Sequence, residues 1–197
     1  LGVYVPAFIA LSASSPFVVG VDSFYQSARL NAVSAFPLSG QCPPLGNWQE
    51  FTEHFAFLQA CGIAQGIKDL YWDVRPKPEF GTVEIRVCDT PLTIEQASSL
   101  AALAQSLARW LLRTRPPLHT AKQAHVARYN KFQACRYGLE AMISDPVNLC
   151  QTPLKQTLAD LLEAVSDDAR ELDCAHWLSP LKQAVDENTG DAAWLRA

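Results

Sequence analysis

The chain has 197 residues and a mass of 21.7 kDa, with 49% hydrophobic and 18% charged residues. That length suits one domain with a sizeable core, and the balance excludes a disordered tail or a fibrous repeat. A formal charge of −4 speaks against a dedicated nucleic-acid binder, which carries a basic excess.

The first stretch, Leu1 to Leu11, is apolar but interrupted by Gly2 and Pro6. It is shorter than the roughly 20 residues a bilayer span needs, and it lacks the basic start and cleavage site of a secretory signal. Val3, Pro6, Ala7, Phe8 and Ala10 read as the middle of a buried helix. With no initiator methionine before them, the expectation is a chain already cut. Cys42, Cys61, Cys88, Cys135, Cys150 and Cys174 form no C-x-x-C pair, so neither zinc nor a redox motif is indicated. Without a signal they read as reduced thiols in a cytoplasm.

Further along, Trp48, Phe51, Phe55 and Leu58 recur at spacings of three and four, which predicts an amphipathic helix from Gly46 to Cys61 stopped by Gly62. Two segments of period two follow, Leu70 to Arg75 and Thr82 to Asp89. Pro76, Pro78 and Gly81 separate them, which predicts a hairpin with a longish loop. On the second strand Val83, Ile85 and Val87 share one face while Glu84, Arg86 and Cys88 share the other. On the first, Asp73 and Arg75 lie opposite Trp72 and Val74. A suitable register sets Asp73, Arg75, Glu84 and Arg86 side by side.

Thr93 with Gln96 is a capping-box start, and Leu100, Leu103, Leu107 and Leu111 form one stripe ended by Pro116 and Pro117. Arg109, Arg113, Arg115, Lys122, Arg128, Lys131 and Arg136 follow one another with no acid interleaved. Such a run either faces phosphate or is a helix flank paired with acids elsewhere. Thr152-Pro153 and Ser179-Pro180 each read as a cap followed by proline in the first turn. The C-terminal third is therefore expected to be short helices, with nine acids against four bases from residue 155 onward.

The polar face has two readings from pattern alone. One is an ordinary hairpin with a solvated side whose opposite charges pair weakly. The other is a rigid platform holding a carboxylate for a hard cation and an arginine for a phosphoryl group. Spacing does not choose between them.

Tyr71-Trp72-Asp73-Val74-Arg75-Pro76 and Phe80 through Thr90 resemble the signature of the type 2 glutamate–cysteine ligase family, which includes bacterial ATP-dependent carboxylate–amine ligases. The likeness continues in Ala10 to Phe17, Asp22 to Ser27 with Arg29, and Asn130 to Glu140. It covers nearly the whole chain and is weakest after about Thr152. It implies an α+β fold with a glutamine-synthetase-like core, an antiparallel sheet curved into a half-barrel with helices on its outer face. Residues 1–197 would be the C-terminal half of a single such domain, lacking also a short terminal piece.

By the same resemblance, Glu84 holds a metal and Arg86 binds the transferring phosphate. Arg29, preceded by Ser27, grips substrate, and Arg75 matches a motif position. Lys131 and Arg136 reach nucleotide phosphates. The implied cofactors are ATP and Mg²⁺, the substrates glutamate and cysteine or another amine, and the assembly a homo-oligomer such as a dimer. No membrane or nucleic-acid partner is implied. The family's E-x-E and H-x-H patterns are missing from this sequence, and His54, His119, His125 and His176 stand isolated as structural or exposed residues. The chain alone is therefore expected to be inactive without the missing N-terminal half. Two alternatives stay open: a ligase for a different carboxylate–amine pair, and a non-catalytic nucleotide-binding remnant. Cys88 reads as packing.

Overall fold

The opening apolar segment becomes helix α1 (Val5–Ser12) in a computed structural model of the chain, which describes residues 1–116 and 123–197. All eight residues of α1 are buried, as expected of a helix apolar on every side. Its single polar side chain is satisfied internally, because Ser12 Oγ donates to the Phe8 carbonyl at 2.6 Å. A small hairpin follows, β1 (Phe17–Val18) and β2 (Val21–Asp22), then α2 (Arg29–Val33) and β3 (Ser39–Gly40). Helix α3 (Trp48–Ala60) opens where Asn47 accepts from Glu50 N at 2.9 Å, and Gly62 follows its end at φ 69°.

The two predicted strands are present in shorter form. β4 (Tyr71–Trp72) pairs parallel with β3, and β5 (Val74–Lys77) pairs antiparallel with β6 (Thr82–Ile85). The break falls at Asp73, whose N–H donates to Gly40 at 2.7 Å while its carbonyl accepts from Arg86 N at 2.8 Å. One residue thus serves two ribbons. Pro76 does not end the strand as expected. It sits inside β5 opposite Val83, which a two-stranded ribbon tolerates because one edge of β5 has no ladder to lose. The connection is a 3₁₀ turn, Pro78–Phe80, closed by Gly81 at φ 61°.

Helix α4 (Ile94–Thr114) starts at the expected Thr93, which accepts from Gln96 N at 3.1 Å. Then come α5 (Ala124–Tyr137), the antiparallel pair β7 (Met142–Asp145) and β8 (Cys150–Pro153), and α6 (Leu154–Ala164). The chain continues through α7 (Ser166–Glu171), α8 (Ser179–Glu187) and α9 (Asp191–Trp194). Pro180 lies in the first turn of α8 as expected, with Ser179 inside the helix and Leu178 at the cap. Thr152 does not cap α6. It pairs with Ile143 in the β7–β8 ladder, and Pro153 is the residue before the helix.

The fold is α+β, built as a helical core with small strand pairs on it. Among the described residues the strands form four separate two-stranded pieces, one of them parallel, rather than one continuous antiparallel sheet. The main core places α1 against α4, α5 and α6, with Ile9, Leu103, Leu107, Leu158 and Leu181 at its centre. A second core joins Phe51 and Leu58 of α3 to Leu70 and Trp72, so it anchors the strand that leads into the polar face. No described helix is long and apolar enough to cross a membrane.

The basic run divides. Arg113 Nη2 lies 2.7 Å from Asp168 Oδ2 and Arg109 Nε 3.6 Å from Oδ1 of the same buried carboxylate. The Arg113 hydrogen bonds hold the Asp168 carboxyl below its ordinary range. Arg109 and Arg113 are thus a helix flank paired with acids. Lys122, His119 and Pro117 lie outside the described residues.

Gly138 follows α5 at φ 57°, and a Cβ there would stand 2.9 Å from Gln26 Cγ. Gly138→Ala should therefore strain the backbone and crowd the stem of a side chain at once. The expected loss is about 1–3 kcal/mol, read as a lower urea midpoint with an unchanged denaturant slope.

Candidate functional site

The register of β5 and β6 sets Arg75 directly opposite Glu84, so the polar faces of the two strands do meet. Arg75 is 4% exposed and spends its whole guanidinium inside the chain. Nε and Nη2 donate to Glu84 Oε2 at 2.9 and 2.7 Å, and Nη1 donates to the carbonyls of Ile67, Lys68 and Leu70 at 3.1–3.2 Å. This arginine holds Glu84 and the loop before β4, with its donors turned inward.

Glu84 sits among three cations. Arg86 Nη1 is 3.6 Å from Oε2, and Lys77 Nζ is 3.7 Å from Oε1, beyond hydrogen-bonding distance. The Arg75 hydrogen bonds hold the Glu84 carboxyl below the usual carboxylate range against the opposing effect of burial, with the charges of Arg75, Lys77 and Arg86 adding to the lowering. Among the described residues Oε1 accepts no hydrogen bond and has only the Lys77 ion pair, so it keeps acceptor capacity on an ionised group. Arg86 differs from Arg75 in kind: its guanidinium lies 5.7 Å from the centre of the Tyr71 ring and makes no side-chain hydrogen bond closer than the 3.6 Å contact to Glu84. It is partly exposed, and its guanidinium makes no hydrogen bond among the described residues.

A second cluster joins the same strand where it runs past β6. Asp89, buried at 3% exposure, collects Ser14 N at 3.1 Å and Ser15 Oγ at 2.7 Å on Oδ2, and Arg29 Nε at 2.8 Å on Oδ1. Arg29 Nη2 donates to the Cys88 carbonyl at 2.9 Å. One edge of the Arg29 guanidinium is thereby fixed, while Nη1 bonds nothing within the described chain and the side chain is 39% exposed. Ser27, by contrast, is buried beside it with an Oγ that has no partner. Its N–H donates to the Cys135 carbonyl at 3.0 Å.

Lys131 of α5 reaches Asp73, Nζ to Oδ1 at 2.5 Å, with both side chains nearly buried. Its charge is spent on that carboxylate rather than offered outward. Arg136 stands apart from these pairs. Its guanidinium lies 5.0 Å from the Tyr25 ring, 5.8 Å from Tyr137 and 6.0 Å from Phe24, and donates to the Phe24 carbonyl. Between the two ion pairs lies Cys135, within reach of the charges of Lys131, Asp89, Asp73 and Arg29, with burial pushing its thiol up to about 12. Burial raises Cys88 as well, outweighing the Ser12 hydrogen bond and the Arg29 charge. Both sulfurs are protonated at neutral pH and ill suited to nucleophilic work.

The structure thus gathers Glu84, Arg75 and Arg86, links Lys131 to them through Asp73, and sets Arg29 and Ser27 on the adjoining cluster. Asp73 was placed on the shared face by alternation, whereas Lys77 and Asp89 were not singled out in the sequence. Asp89 stands at the end of the second quoted segment, out of phase with Glu84 and Arg86, where alternation gives no signal. His54 lies against the Trp72 ring and His176 against Trp177. Among the described residues no three His, Cys, Asp or Glu side chains converge as a metal cage. A groove of about 410 Å³ between α6, α7 and α8, lined among others by Leu162, Leu178 and Lys182, shares no residue with the clusters above.

Comparison with known proteins points to one family. The model of glutamate-cysteine ligase family 2 matches residues 1–197. A relative from Dechloromonas aromatica (strain RCB), provisionally named glutamate–cysteine ligase 2, is 96% identical over 196 residues, covering 100% of this chain and 51% of the relative. Relatives under the same provisional name from Polaromonas naphthalenivorans (strain CJ2) and Janthinobacterium sp. (strain Marseille) are 48% and 45% identical, each over 98% of this chain and 51% and 52% of their own length. The chain spans about half the length of the curated relatives it matches.

Because the folded-state pKa of Glu84 is depressed, its stabilising effect is present above the unfolded-state value and fades as pH falls through the folded one. Glu84→Gln should remain folded and lose about 1–2 kcal/mol at pH 7. The gap between wild type and variant should stay flat from pH 8 to 6 and close only as pH falls below the ordinary Glu value of about 4.3, measured by urea unfolding at each pH.

Proposed function

The chain belongs to glutamate–cysteine ligase family 2, and from that premise we propose that it supplies the phosphoryl-handling half of an ATP-dependent carboxylate–amine ligase. In this reading the full-length protein joins the side-chain carboxylate of glutamate to the amine of cysteine, giving γ-glutamylcysteine. The observation that carries it is Arg86, a guanidinium fixed by a carboxylate and a ring but with its donors unspent.

A carboxylate resists attack by an amine, so it is first activated. One carboxylate oxygen attacks the γ-phosphorus of ATP, the bond from that phosphorus to the bridging oxygen breaks, and ADP leaves behind an acyl phosphate. The free amine then attacks the acyl carbon, and the bond from that carbon to the phosphate oxygen breaks. Inorganic phosphate departs and the nitrogen's surplus proton passes to solvent. The first step needs positioning and charge neutralisation more than covalent help. Arg86 donates to the equatorial oxygens of the moving phosphoryl group. Arg75 is a positioning residue that fixes Glu84. Arg29, held on one edge by Asp89, turns Nη1 toward the substrate carboxylate. Lys131 serves by neutralising Asp73.

Magnesium commonly takes one or two carboxylates together with phosphates and water, and Glu84 Oε1 is open for one such contact. When bound there, the ion would neutralise charge on the transferred group. All six cysteines are free thiols, in keeping with a cytoplasmic setting.

ADP release by the full-length protein with Mg-ATP, omitting glutamate and cysteine in turn, is expected to require both amino acids. Release that needs glutamate alone would keep the activation step and change the acceptor, and release under no condition would overturn the ligase reading. Arg86→Ala should leave the fold intact and lower kcat about a hundred- to a thousandfold, about 3–4 kcal/mol of barrier. A variant with normal turnover would remove Arg86 from the mechanism.

A further inference from the structure

We propose that the β1–β2 hairpin is a docking arm, seated in the full-length protein against the half of the family's polypeptide that lies outside this chain. The proposal rests on the reading of this chain as one half of a ligase. Its starting point is the hairpin tip. Val19 is 98% exposed, Val21 and Phe24 are each 70% exposed, and Phe17 and Val18 are also open to solvent. Five large apolar side chains within eight residues are directed at water, more than scattered surface residues account for.

The backbone sharpens the point. Val19 and Gly20 link the paired residues Val18 and Val21, with φ of 50° and 79°. A two-residue turn with both φ values positive favours Asn-Gly or Asp-Gly. Valine is branched at Cβ and is an outlier there. A turn that only had to close would carry asparagine, so the apolar side chain is retained against both strain and solvation. Phe24 repeats the pattern at φ 61°. Strain of this kind persists where the surroundings over-determine it and something uses it.

The arm is also braced from below. Ser23 donates from N and Oγ to the Pro16 carbonyl at 2.9 and 2.7 Å. Arg196 forks onto Asp22 at 2.9 and 3.0 Å and donates to Gln26 Oε1 and the Tyr25 carbonyl. Beside it, Arg136 lies among the Phe24, Tyr25 and Tyr137 rings. Aromatic residues around an arginine are the composition of interface anchors, and a rigid base lowers the ordering cost of docking.

The occupant follows from length and charge. A relative 96% identical to this chain carries nearly as much polypeptide again. Each strand pair here is two-stranded with open edges, which further strands would complete. Helix α5 carries both Arg136 at the patch and Lys131 at the candidate site, so a segment lying on the arm borders the site it would complete. A second copy of this chain would instead bring the same arginine-centred patch against itself.

The test mixes this chain with the complementary half of the full-length relative, expressed separately. Sedimentation is expected to show a one-to-one complex, and hydrogen exchange at residues 17–25 should slow on binding. Val19→Asn removes the apolar tip and suits the turn. It should raise the unfolding midpoint of this chain alone, weaken association about tenfold or more, and lower the midpoint of the full-length protein. A rise in both midpoints, an unprotected hairpin, no complex, or self-association of this chain abolished by Val19→Asn would each overturn the proposal. These readouts are independent of turnover, so the arm and the ligase reading fail separately.

Discussion

A buried guanidinium has to be matched donor for donor, and Arg75 meets that demand in a way that shapes everything near it. Its inward edge is taken by three carbonyls of the loop before β4, and its other edge by one oxygen of Glu84. Removing the Glu84 charge would leave the buried guanidinium compensated by backbone carbonyls alone. The ribbon register is therefore fixed by electrostatics as well as by its short ladder. A slip of one residue would turn Glu84 away and set Val83 against the arginine. The same contact leaves the second Glu84 oxygen free and ties down the carboxylate that Arg86 leans on.

Two further carboxylates do comparable work at seams. Asp73 passes its N–H to Gly40, its carbonyl to Arg86 N and its side chain to Lys131, joining three segments far apart in sequence. Asp89 gathers Ser14, Ser15 and Arg29 in the same manner. The apolar cores lie to either side: α1 with α4, α5 and α6 in one, α3 with Leu70 and Trp72 in the other. Cores supply the bulk stabilisation, whereas these paired charges decide where the segments between them sit. Candidate chemistry thus collects where the two hydrophobic units meet.

Elements whose signal is local were legible in the sequence. The helix expected from Gly46 to Cys61 and stopped by Gly62 is α3, Trp48–Ala60, and Thr93 with Gln96 starts α4 where the capping pattern places it. Alternation put Arg75 on one polar face and Glu84 with Arg86 on another, and the register that brings them side by side came from the structure. What alternation cannot state is how deeply each residue lies. Arg75 and Arg86 share a strand context and a charge, yet the first is sealed against Ile67, Lys68 and Leu70 while the second stands over Tyr71. That distinction depends on how α3 packs, a long-range fact. Thr152 misled for a similar reason. Its cap-like sequence was overridden by pairing with Ile143, a partner that only the fold brings near.

Local charge and overall charge pull in different directions here, and their ranges reconcile them. The chain as a whole is negative, whereas Arg75, Lys77 and Arg86 outnumber Glu84 at the ribbon. Screening confines each influence to about 8–10 Å in physiological salt. A long polyanion laid across the surface would meet the acidic C-terminal helices as well as the ribbon. A compact anion entering at Arg86 would feel chiefly the local cations, and a bidentate guanidinium matches phosphate oxygens in shape as well as charge. The cluster's excess of cations over carboxylates suits the polyphosphate of the proposed reaction, and Glu84 is the residue there that would hold a divalent ion, whose charge would help neutralise that group. Carboxylates in greater number would suit the ion rather than the polyphosphate. Among the described residues Glu84 is the one carboxylate paired with these three cations, a balance in keeping with the phosphoryl-handling role proposed for this half.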